Sequence, residues 1–310
     1  MAASKTIKAE RVCDAYLVQR LREPDEIRRL LEPRRRYAAY GLAQLEPPLF
    51  AQSQWWLAEG VGGHALLMHS HGGLGHALLT LGDEIGLYVL LGLHPGPAYS
   101  FATIDLDHLP VMRRFFSFSH THPMQRMIVD RRAFTPAPPL SDDNAAFALR
   151  RLSATDTPEV NGLNASEGAG INYRSSQIRD GVYFGIYADD ILVAMAGTHA
   201  VSESERLAVL GNVFTHPRYR NNHLALRTTG AVTSALLETC DEVVLTVDPR
   251  NEAAVRAYAR LGFAVDCRLI EAAVTRKESL GLMSLTRRLV ARWRGRRHGR
   301  ELAYSPARRG

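Results

Sequence analysis

A polar loop directly before a helical pattern is the first feature of this sequence that could do chemistry. Residues 214–237, FTHPRYRNNHLALRTTGAVTSALL, begin like the end of a strand and then place Arg220, Asn221, Asn222 and His223 before an apolar-periodic run. The first backbone N–H groups of a helix have no partner within the helix, and the helix dipole makes this end electropositive. The loop therefore predicts an anion site, although a plain turn capped by Asn221 or Asn222 would use the same residues.

A second polar pattern follows one buried strand later. Residues 242–247, EVVLTV, form a near-continuous apolar run, which is typical of a buried parallel strand. The stretch after it contains Asn251, Ala254, Tyr258 and a Gly262-Phe263 ending. This spacing predicts a short helix that ends at Gly262, with Asn251 as a suitable N-cap.

The two patterns in this order identify a family. Residues 145–276 resemble the GNAT superfamily of N-acyltransferases, whose acyl-CoA loop has the form R/Q-x-x-G-x-G/A and stands here at 220–225. The Asn, Tyr and Gly-Phe positions of the later helix match the same family. The resemblance implies the GNAT fold, with a mixed α/β sheet, and transfer of an acyl group, expected to be acetyl, from acetyl-CoA to an amine by direct attack.

The resemblance also implies roles for the residues around the loop. The pyrophosphate of coenzyme A would bind at 221–226, with a charged contact from Arg220, and pantetheine would lie between splayed strands that hold Val213 and Val244. An N–H group near Val213 would bind the oxyanion. The expected cofactor-binding residues are Val213, Phe214, Thr215, Arg220, Asn221, Asn222, His223, Leu224, Ala225, Leu226 and Asn251.

Tyr258 is the expected general acid, because the CoA sulfur leaves as a thiolate and benefits from a nearby proton donor. A tyrosine that only packs is the alternative, since Val255, Tyr258 and Ala259 follow core spacing. The sequence does not single out a general base. Four candidates lie near plausible strand ends: His199, Glu205, His216 and Glu271.

His223 departs from the family pattern, which has glycine at this position. Glycine allows close approach of a phosphate and positive φ values, and histidine restricts both. Either the histidine side chain points outward, or the affinity for CoA is impaired. A second hypothesis follows: a decayed GNAT module that acts as a binding or scaffold protein.

A segment rich in proline, aspartate and serine, TPAPPLSDDN, predicts a linker at 135–144. The expected organisation is an N-terminal accessory domain (1–134), this linker, the GNAT domain (145–280) and a basic C-terminal tail (281–310). Residues 182–202 predict a hairpin that turns at Asp189-Asp190.

The first part predicts an α/β or α+β unit. Leu17, Leu21 and Ile27 have helical spacing, and residues 64–71, 76–82, 85–94 and 99–105 suggest strands. This part has no R/Q-x-x-G-x-G/A loop, so it resembles a degenerate, non-catalytic GNAT-like domain that would shape the acceptor cleft.

Residues 59–76, EGVGGHALLMHSHGGLGH, contain glycines that could form a phosphate loop and histidines that could bind a metal. No helix pattern follows the glycines, so they predict turns rather than a phosphate loop. His64, His69, His71 and His76 could bind a metal, but no acid or cysteine stands at ligand spacing. Satisfied or solvent-facing histidines are therefore favoured, and no metal is expected.

The positive charge is concentrated at the end of the chain. Residues 287–310 contain nine arginines and one acidic residue, which gives this segment a net charge of +8. The whole chain has a net charge of +6, so residues 1–286 have a net charge of −2. Such a tail attracts nucleic acid or anionic lipid without specificity. A solvated or helical extension that has no partner is the favoured interpretation, and the fold is expected to survive its deletion.

Composition sets the remaining expectations. The chain has 310 residues, 46% of them hydrophobic and 23% charged, which is typical of a globular protein. No apolar run is long enough to span a bilayer, and no signal-peptide pattern opens the sequence. The three cysteines stand far apart, so a reducing cytoplasm is expected. The acceptor is expected to be a small-molecule or peptide amine, and a homodimer is compatible with the sequence.

Overall fold

The computed structural model describes residues 15–60, 62–71, 75–138, 147–166, 172–278, 282–296 and 299–304. Most of the predicted linker lies outside these residues, as do the last six positions of the chain.

Seven strands and five helices precede the predicted linker. The strands are β1 (Ala15–Leu21), β2 (Ser53–Gly60), β3 (Gly63–Ser70), β4 (Ala77–Gly82), β5 (Tyr99–Ile104), β6 (Phe116–Phe118) and β7 (Met124–Asp130). The helices are α1 (Pro24–Leu31), α2 (Ala39–Ala43), α3 (Pro47–Phe50), α4 (Glu84–Leu93) and α5 (Leu109–Phe115). These counts refer to the described ranges only.

The part after the linker has the same number of strands and helices within the described ranges. The strands are β8 (Phe147–Arg151), β9 (Phe184–Ala188), β10 (Ile191–Ser202), β11 (Leu207–Thr215), β12 (Glu242–Val247), β13 (Ala264–Arg276) and β14 (Glu301–Tyr304). The helices are α6 (Thr157–Ser166), α7 (Ser175–Asp180), α8 (Leu224–Leu236), α9 (Glu252–Arg260) and α10 (Leu282–Gly295). The predicted hairpin at 182–202 is confirmed, with positive φ at both Asp189 and Asp190, as a two-residue hairpin turn requires.

All described strands belong to one sheet. Its order is β14-β1-β2-β3-β4-β5-β13-β7-β12-β11-β10-β9-β8, with β6 paired to β13 off this path. Two pairs are parallel, β4 with β5 and β11 with β12, and each is joined by a helix, α4 or α8. The two halves therefore repeat one arrangement: a strand, two or three helices, an antiparallel hairpin, and a strand-helix-strand-helix unit.

The two halves exchange strands at the centre of the sheet. Strand β7 precedes the linker, yet it lies between β12 and β13. Strand β13 pairs with β7 over its first part and with β5 from Ile270 onward. The predicted boundary at 135–144 therefore separates the halves along the chain and not within the sheet.

The tail expected to be without a partner packs on the first half. Strand β14 pairs with β1, and Ala291 of α10 is buried in a core cluster with residues of β1, β3 and α4. The buried Glu301 carboxylate accepts hydrogen bonds from His94 (2.7 Å) and Arg292 (2.9 Å). The helical form was foreseen, but the expectation of an unpartnered extension is wrong.

Helices cover the two faces of the second half in different ways. Val232 and Leu236 of α8 and Tyr258 of α9 pack on one face, which holds Leu210 and Leu245. On the opposite face, Val209, Val244 and Leu269 pack against residues of the first half, among them Tyr37 and Leu42. Helices α6 and α7 lie further along this opposite face, over β9 and β10. None of the helices in the described ranges is long and apolar enough to cross a membrane.

Candidate functional site

Strands β11 and β12 separate where the sequence places the site. They pair from Leu207 with Glu242 to Leu210 with Leu245, and β11 then continues to Thr215 without β12 beside it. The other edge of β11 stays paired with β10, where Ala194 is opposite Thr215. Main-chain groups on the open edge of residues 211–215 therefore have no strand partner in the described part of the chain. Such groups can pair with an extended ligand as a further strand would.

A residue with positive φ marks the point of separation. Asn212 has a φ of 54°, in the left-handed region. Its Oδ1 accepts a hydrogen bond from the Tyr173 hydroxyl (2.7 Å), and its Nδ2 donates to the Tyr183 hydroxyl (3.1 Å) and to the Thr198 carbonyl (3.2 Å). These contacts hold the irregular backbone in place, since a partly buried amide with satisfied partners favours one conformation.

The loop after β11 ends in a helix whose first N–H groups are available. Helix α8 begins at Leu224, with His223 as its N-cap, and no side chain caps it. The first intrahelical bond runs from the Arg227 N–H to the His223 carbonyl (3.2 Å). The N–H groups of residues 223–226 therefore point to the loop without an intrahelical partner, which is the arrangement that binds anions.

The loop adopts the backbone that its family pattern assigns to glycine. His223 has a φ of 55° and Asn221 a φ of 67°. Asn and His are among the few residue types found in this left-handed region, so the loop accommodates histidine at a positive φ at a cost in strain. The Asn222 side chain turns back onto the loop and donates to the carbonyls of Tyr219 (3.2 Å) and Arg220 (3.3 Å).

One cleft of about 750 Å³ joins the open edge of β11, the start of α8 and one side of α9. With the exception of Asn222, every residue predicted to bind CoA lines this cleft, and Tyr258 lines it too. Sequence reasoning missed Tyr219, Arg256 and Arg260. The two arginines stand one helical turn apart on α9, a signal that could have placed them on one face with the predicted helix. They add positive charge to a cleft that already has a helix N-terminus.

Tyr258 lies at the inner end of this cleft and is 7% exposed. Burial raises the pKa of its hydroxyl to about 12, so the group keeps its proton at neutral pH. No hydrogen bond to this hydroxyl is found among the described residues. Asn251 is the N-cap of α9, as predicted, and its Oδ1 accepts from the Ala254 N–H (3.2 Å). Because Asn251 also lines the cleft, capping does not exclude a ligand contact.

Three of the four base candidates have structural partners. The buried Glu205 pairs with Arg28 (2.6 Å) at the far end of β11. His216 caps the turn after β11, where its Nδ1 accepts from the Arg218 N–H (3.3 Å). The Oε1 atom of Glu271 accepts from the buried Arg126 (3.1 Å). By contrast, Nδ1 of His199 is buried and has no hydrogen-bond partner among the residues that the structure describes.

His199 lies over the strand that opens. A β-carbon added to Gly211 would be 2.0 Å from His199 Nε2, so the imidazole contacts the β11 backbone just before Asn212. Side chains two residues apart on a strand share a face. Gly211, Thr246 and Glu271 therefore lie on the face of Val209, Val244 and Leu269, which is opposite α8 and α9. Burial lowers the pKa of His199, although the nearby Glu271 acts in the opposite direction, so the ring is neutral at pH 7.

The equivalent helix start in the first half is filled by a side chain of the protein. Asp83 is the N-cap of α4, and its Oδ2 accepts from the Gly86 N–H (2.6 Å) and the Tyr16 hydroxyl (2.5 Å). A carboxylate thus occupies the place where an anion would bind.

Three of the four histidines of residues 64–76 make contacts within the protein, and His64 is exposed. His69 is buried, and its Nε2 donates to the His94 carbonyl (2.9 Å), while the Nδ1 atoms of His71 and His76 are 2.8 Å apart. No group of three or more His, Cys, Asp or Glu side chains in the described ranges is arranged to hold a metal ion.

Residues 150–263 match the model of the acetyltransferase (GNAT) family. This part of the chain is a GNAT acetyltransferase domain, as its two motifs predicted. No curated protein sequence matches the chain.

Three solved structures are similar to this chain over most of both halves. One is a GCN5-related N-acetyltransferase from Sphaerobacter thermophilus, with a TM-score of 0.56 and 15% identity over 84% of this chain and 95% of that chain. Another, from Kribbella flavida, has a TM-score of 0.55 and 16% identity over 78% of this chain and 95% of that chain. The third, a tandem GNAT protein from the clavulanic acid biosynthesis pathway, has a TM-score of 0.51 and 14% identity over 84% of this chain and 98% of that chain. At these identities the likeness concerns the fold. It extends across both halves, so the prediction of a second GNAT-like domain before the first motif is confirmed.

Proposed function

We propose that this protein is an acetyl-CoA-dependent N-acetyltransferase whose active site lies in the second half, at the separation of β11 and β12. The cleft that joins the open edge of β11 to the free N–H groups of α8 carries the proposal. One molecule of acetyl-CoA would bind per chain, because Asp83 fills the equivalent helix start of the first half.

The residues of the cleft fit the parts of coenzyme A. The N–H groups of 223–226 would bind the pyrophosphate, with Arg220, Arg256 and Arg260 as further positive charges near it. The open edge of Val213 and Thr215 would pair with the pantetheine amides. The small side chains of Ala253, Ala254 and Ala257 leave room on the α9 side.

Two groups would act on the thioester itself. The N–H on the open edge of β11 near Val213 would stabilise negative charge on the carbonyl oxygen. The Tyr258 hydroxyl would donate a proton or a hydrogen bond to the sulfur as the C–S bond breaks. Its raised pKa supports this role, because only the protonated phenol can donate.

The acceptor amine would approach from the face opposite α8 and α9. His199 would take the proton that the amine loses on attack, since its neutral ring is beside the separation and Nδ1 has no partner within the described ranges. Glu271 on the same face, although its Oε1 is paired with Arg126, would add a carboxylate beside the path of a cationic amine. An alkyl ammonium has a pKa near 10 and must be deprotonated before it can attack.

The test is turnover of acetyl-CoA with a library of primary amines, measured as free thiol released, together with calorimetric titration of acetyl-CoA. The proposal expects a stoichiometry of one and thiol release that depends on one class of amine. A decayed module is the rival function. It would give no amine-dependent thiol release, and a melting temperature that acetyl-CoA does not raise would also exclude CoA binding.

A further inference from the structure

Helix α10 presents an apolar face to solvent. Six of its side chains are large, hydrophobic and exposed, and they form half of all such residues in the described ranges. Trp293 is 67% exposed, Leu282 61% and Leu289 58%. The other three are Met283, Leu285 and Val290.

These residues lie on one side of the helix. Successive residues are rotated by about 100°, so Leu282, Leu289 and Trp293 fall along a single line, with Leu285 next to it. Ser284, Ala291 and Gly295 are on the opposite side and are buried against the protein. The apolar line therefore points directly away from the body of the protein, where no described element covers it.

Arginines border this line on both sides. Arg287 and Arg294 lie at one border, and Arg288 and Arg292 at the other. Glu301 is the only acid among residues 282–304 of the described chain, and it is buried beneath Arg292. An apolar groove of about 440 Å³ runs beside the helix, lined by Val89, Leu93, Val290 and Leu302, with Arg287 and Arg294 also in its lining.

A partner of this surface must provide an apolar environment for the exposed hydrophobic side chains of α10. It must also carry negative charge beside that environment, where the arginines lie. Nucleic acid offers phosphates but no apolar phase for Leu289 and Trp293. A second copy of the chain would bring arginines against arginines. The surface of an anionic bilayer meets both conditions, because an interfacial helix buries its apolar face among acyl chains while arginines reach the phosphates.

We propose that α10 is an interfacial anchor that binds the protein to the surface of anionic phospholipid membranes, with Leu282, Leu289 and Trp293 inserted and the flanking arginines on the headgroups.

Sedimentation of the full chain with vesicles tests this anchor. Vesicles of phosphatidylcholine with 30% phosphatidylglycerol should bind at least tenfold more protein than phosphatidylcholine alone, and 0.5 M NaCl should remove most of the difference. Tryptophan emission should shift to shorter wavelength through Trp293, since Trp55 is already buried and Trp56 is stacked on His94 within the protein. Equal binding to both vesicles, or binding to neither, would overturn the proposal.

Matched variants separate an anchor from other uses of the same surface. Leu289→Ser/Trp293→Ser should lower binding to anionic vesicles at least tenfold. The control is Tyr99→Ser/Phe101→Ser, which changes two exposed aromatic residues on β5 and should bind as the wild type does. If the α10 variant instead converts a dimer to a monomer, the face is an interface between copies. If Arg287→Gln/Arg294→Gln abolishes duplex DNA binding while vesicles are not bound, the partner is nucleic acid. Either result contradicts the anchor.

Discussion

Asn212, Asn221 and His223 all have positive φ although none of them is glycine. A left-handed conformation costs a non-glycine residue about 1–2 kcal/mol, and such residues collect at functional sites. Here Asn212 lies where β11 leaves β12, and the other two lie in the loop before α8. Asn221 and His223 line the cleft, and Asn212 directly precedes Val213, which lines it too. The shape of the cleft thus depends on single residues in a strained conformation.

Tyr258→Phe tests whether this tyrosine is the general acid. We expect kcat to fall by at least about tenfold and acetyl-CoA affinity to stay within about twofold, because in the proposed role the hydroxyl stabilises the sulfur only as it leaves and contributes little to ground-state binding. Steady-state kinetics and calorimetry measure the two effects. Tyr187→Phe is the control, since this tyrosine contacts Glu159 and neither residue lines the cleft. Parallel loss of binding and rate in Tyr258→Phe would indicate a packing role.

His199→Gln tests the base. Burial lowers the pKa of His199 in the presence of Glu271 and Arg126, so the neutral form persists below the ordinary histidine value of about 6.5. We expect kcat/KM of the wild type to fall only below that pH. The variant should lose about 100-fold at neutral pH and should lack this acidic limb. His216→Gln is the matched control and should keep the wild-type profile. An unchanged profile in His199→Gln would exclude this residue as the base.

At the scale of elements, the loop and helix at 220–226 make the strongest prediction. Ala225 is the second residue of α8 and lines the cleft at its N-terminus. Ala225→Leu should abolish acetyl-CoA binding without unfolding the domain, because the larger side chain fills the space over the free N–H groups. Calorimetric titration, with circular dichroism as the folding control, measures this. Unchanged affinity would mean that CoA does not bind on this loop.

His223→Gly is the complementary change. Glycine adopts positive φ without strain, so affinity should be kept or improved, and any loss of helix stability should be about 1 kcal/mol or less. The same titration and a thermal melt give both values. A clear loss of affinity would show that the His223 side chain itself contacts the cofactor.

Elements near the two motifs were predictable because their signals are local. Helix α8 follows a proline-broken strand, and the β9–β10 hairpin has its two aspartates at the turn. In the first half, two predictions were wrong. Residues 15–21 form a strand and not a helix. The spacing of Leu17 and Leu21 suggested a helix, but the buried residues are Tyr16, Val18 and Leu21, and the neighbours that bury them are distant in sequence. Residues 84–93 are a helix and not a strand, because they are buried on nearly every side and so have no periodicity.

The site was predictable only where chain neighbours build it. The loop, Asn251 and Tyr258 each belong to a motif. Arg256 and Arg260 enter the cleft through the packing of α9, and the position of His199 depends on the pairing of β10 with β11. Such placements follow from contacts between distant parts of the chain, to which a single sequence gives no direct access.

For the whole molecule, the contacts of residues 287–310 indicate that their deletion destabilises the fold, contrary to the prediction from the sequence. Deletion of 287–310 would remove β14 from the edge of β1 and take Ala291 out of a core cluster. We expect the melting temperature to fall by at least about 5 °C, which corresponds to a loss of roughly 2 kcal/mol. Scanning calorimetry measures it. Leu289→Ser/Trp293→Ser is the control and should melt as the wild type does, since both side chains are exposed. An unchanged melt of the truncated protein would mean that β14 and α10 do not stabilise the fold.

The exchange of β7 and β13 also sets an order of events during synthesis. Strand β5 is complete at Ile104, but the strand that pairs with it from Ile270 onward is made about 170 residues later. At about 5–20 residues per second, the ribosome needs roughly 10 to 30 s to supply it. During that interval one edge of β5 is open to other chains, and such edges invite aggregation. The sheet of the first half is thus translated first, but its β5 edge is among the last to be paired.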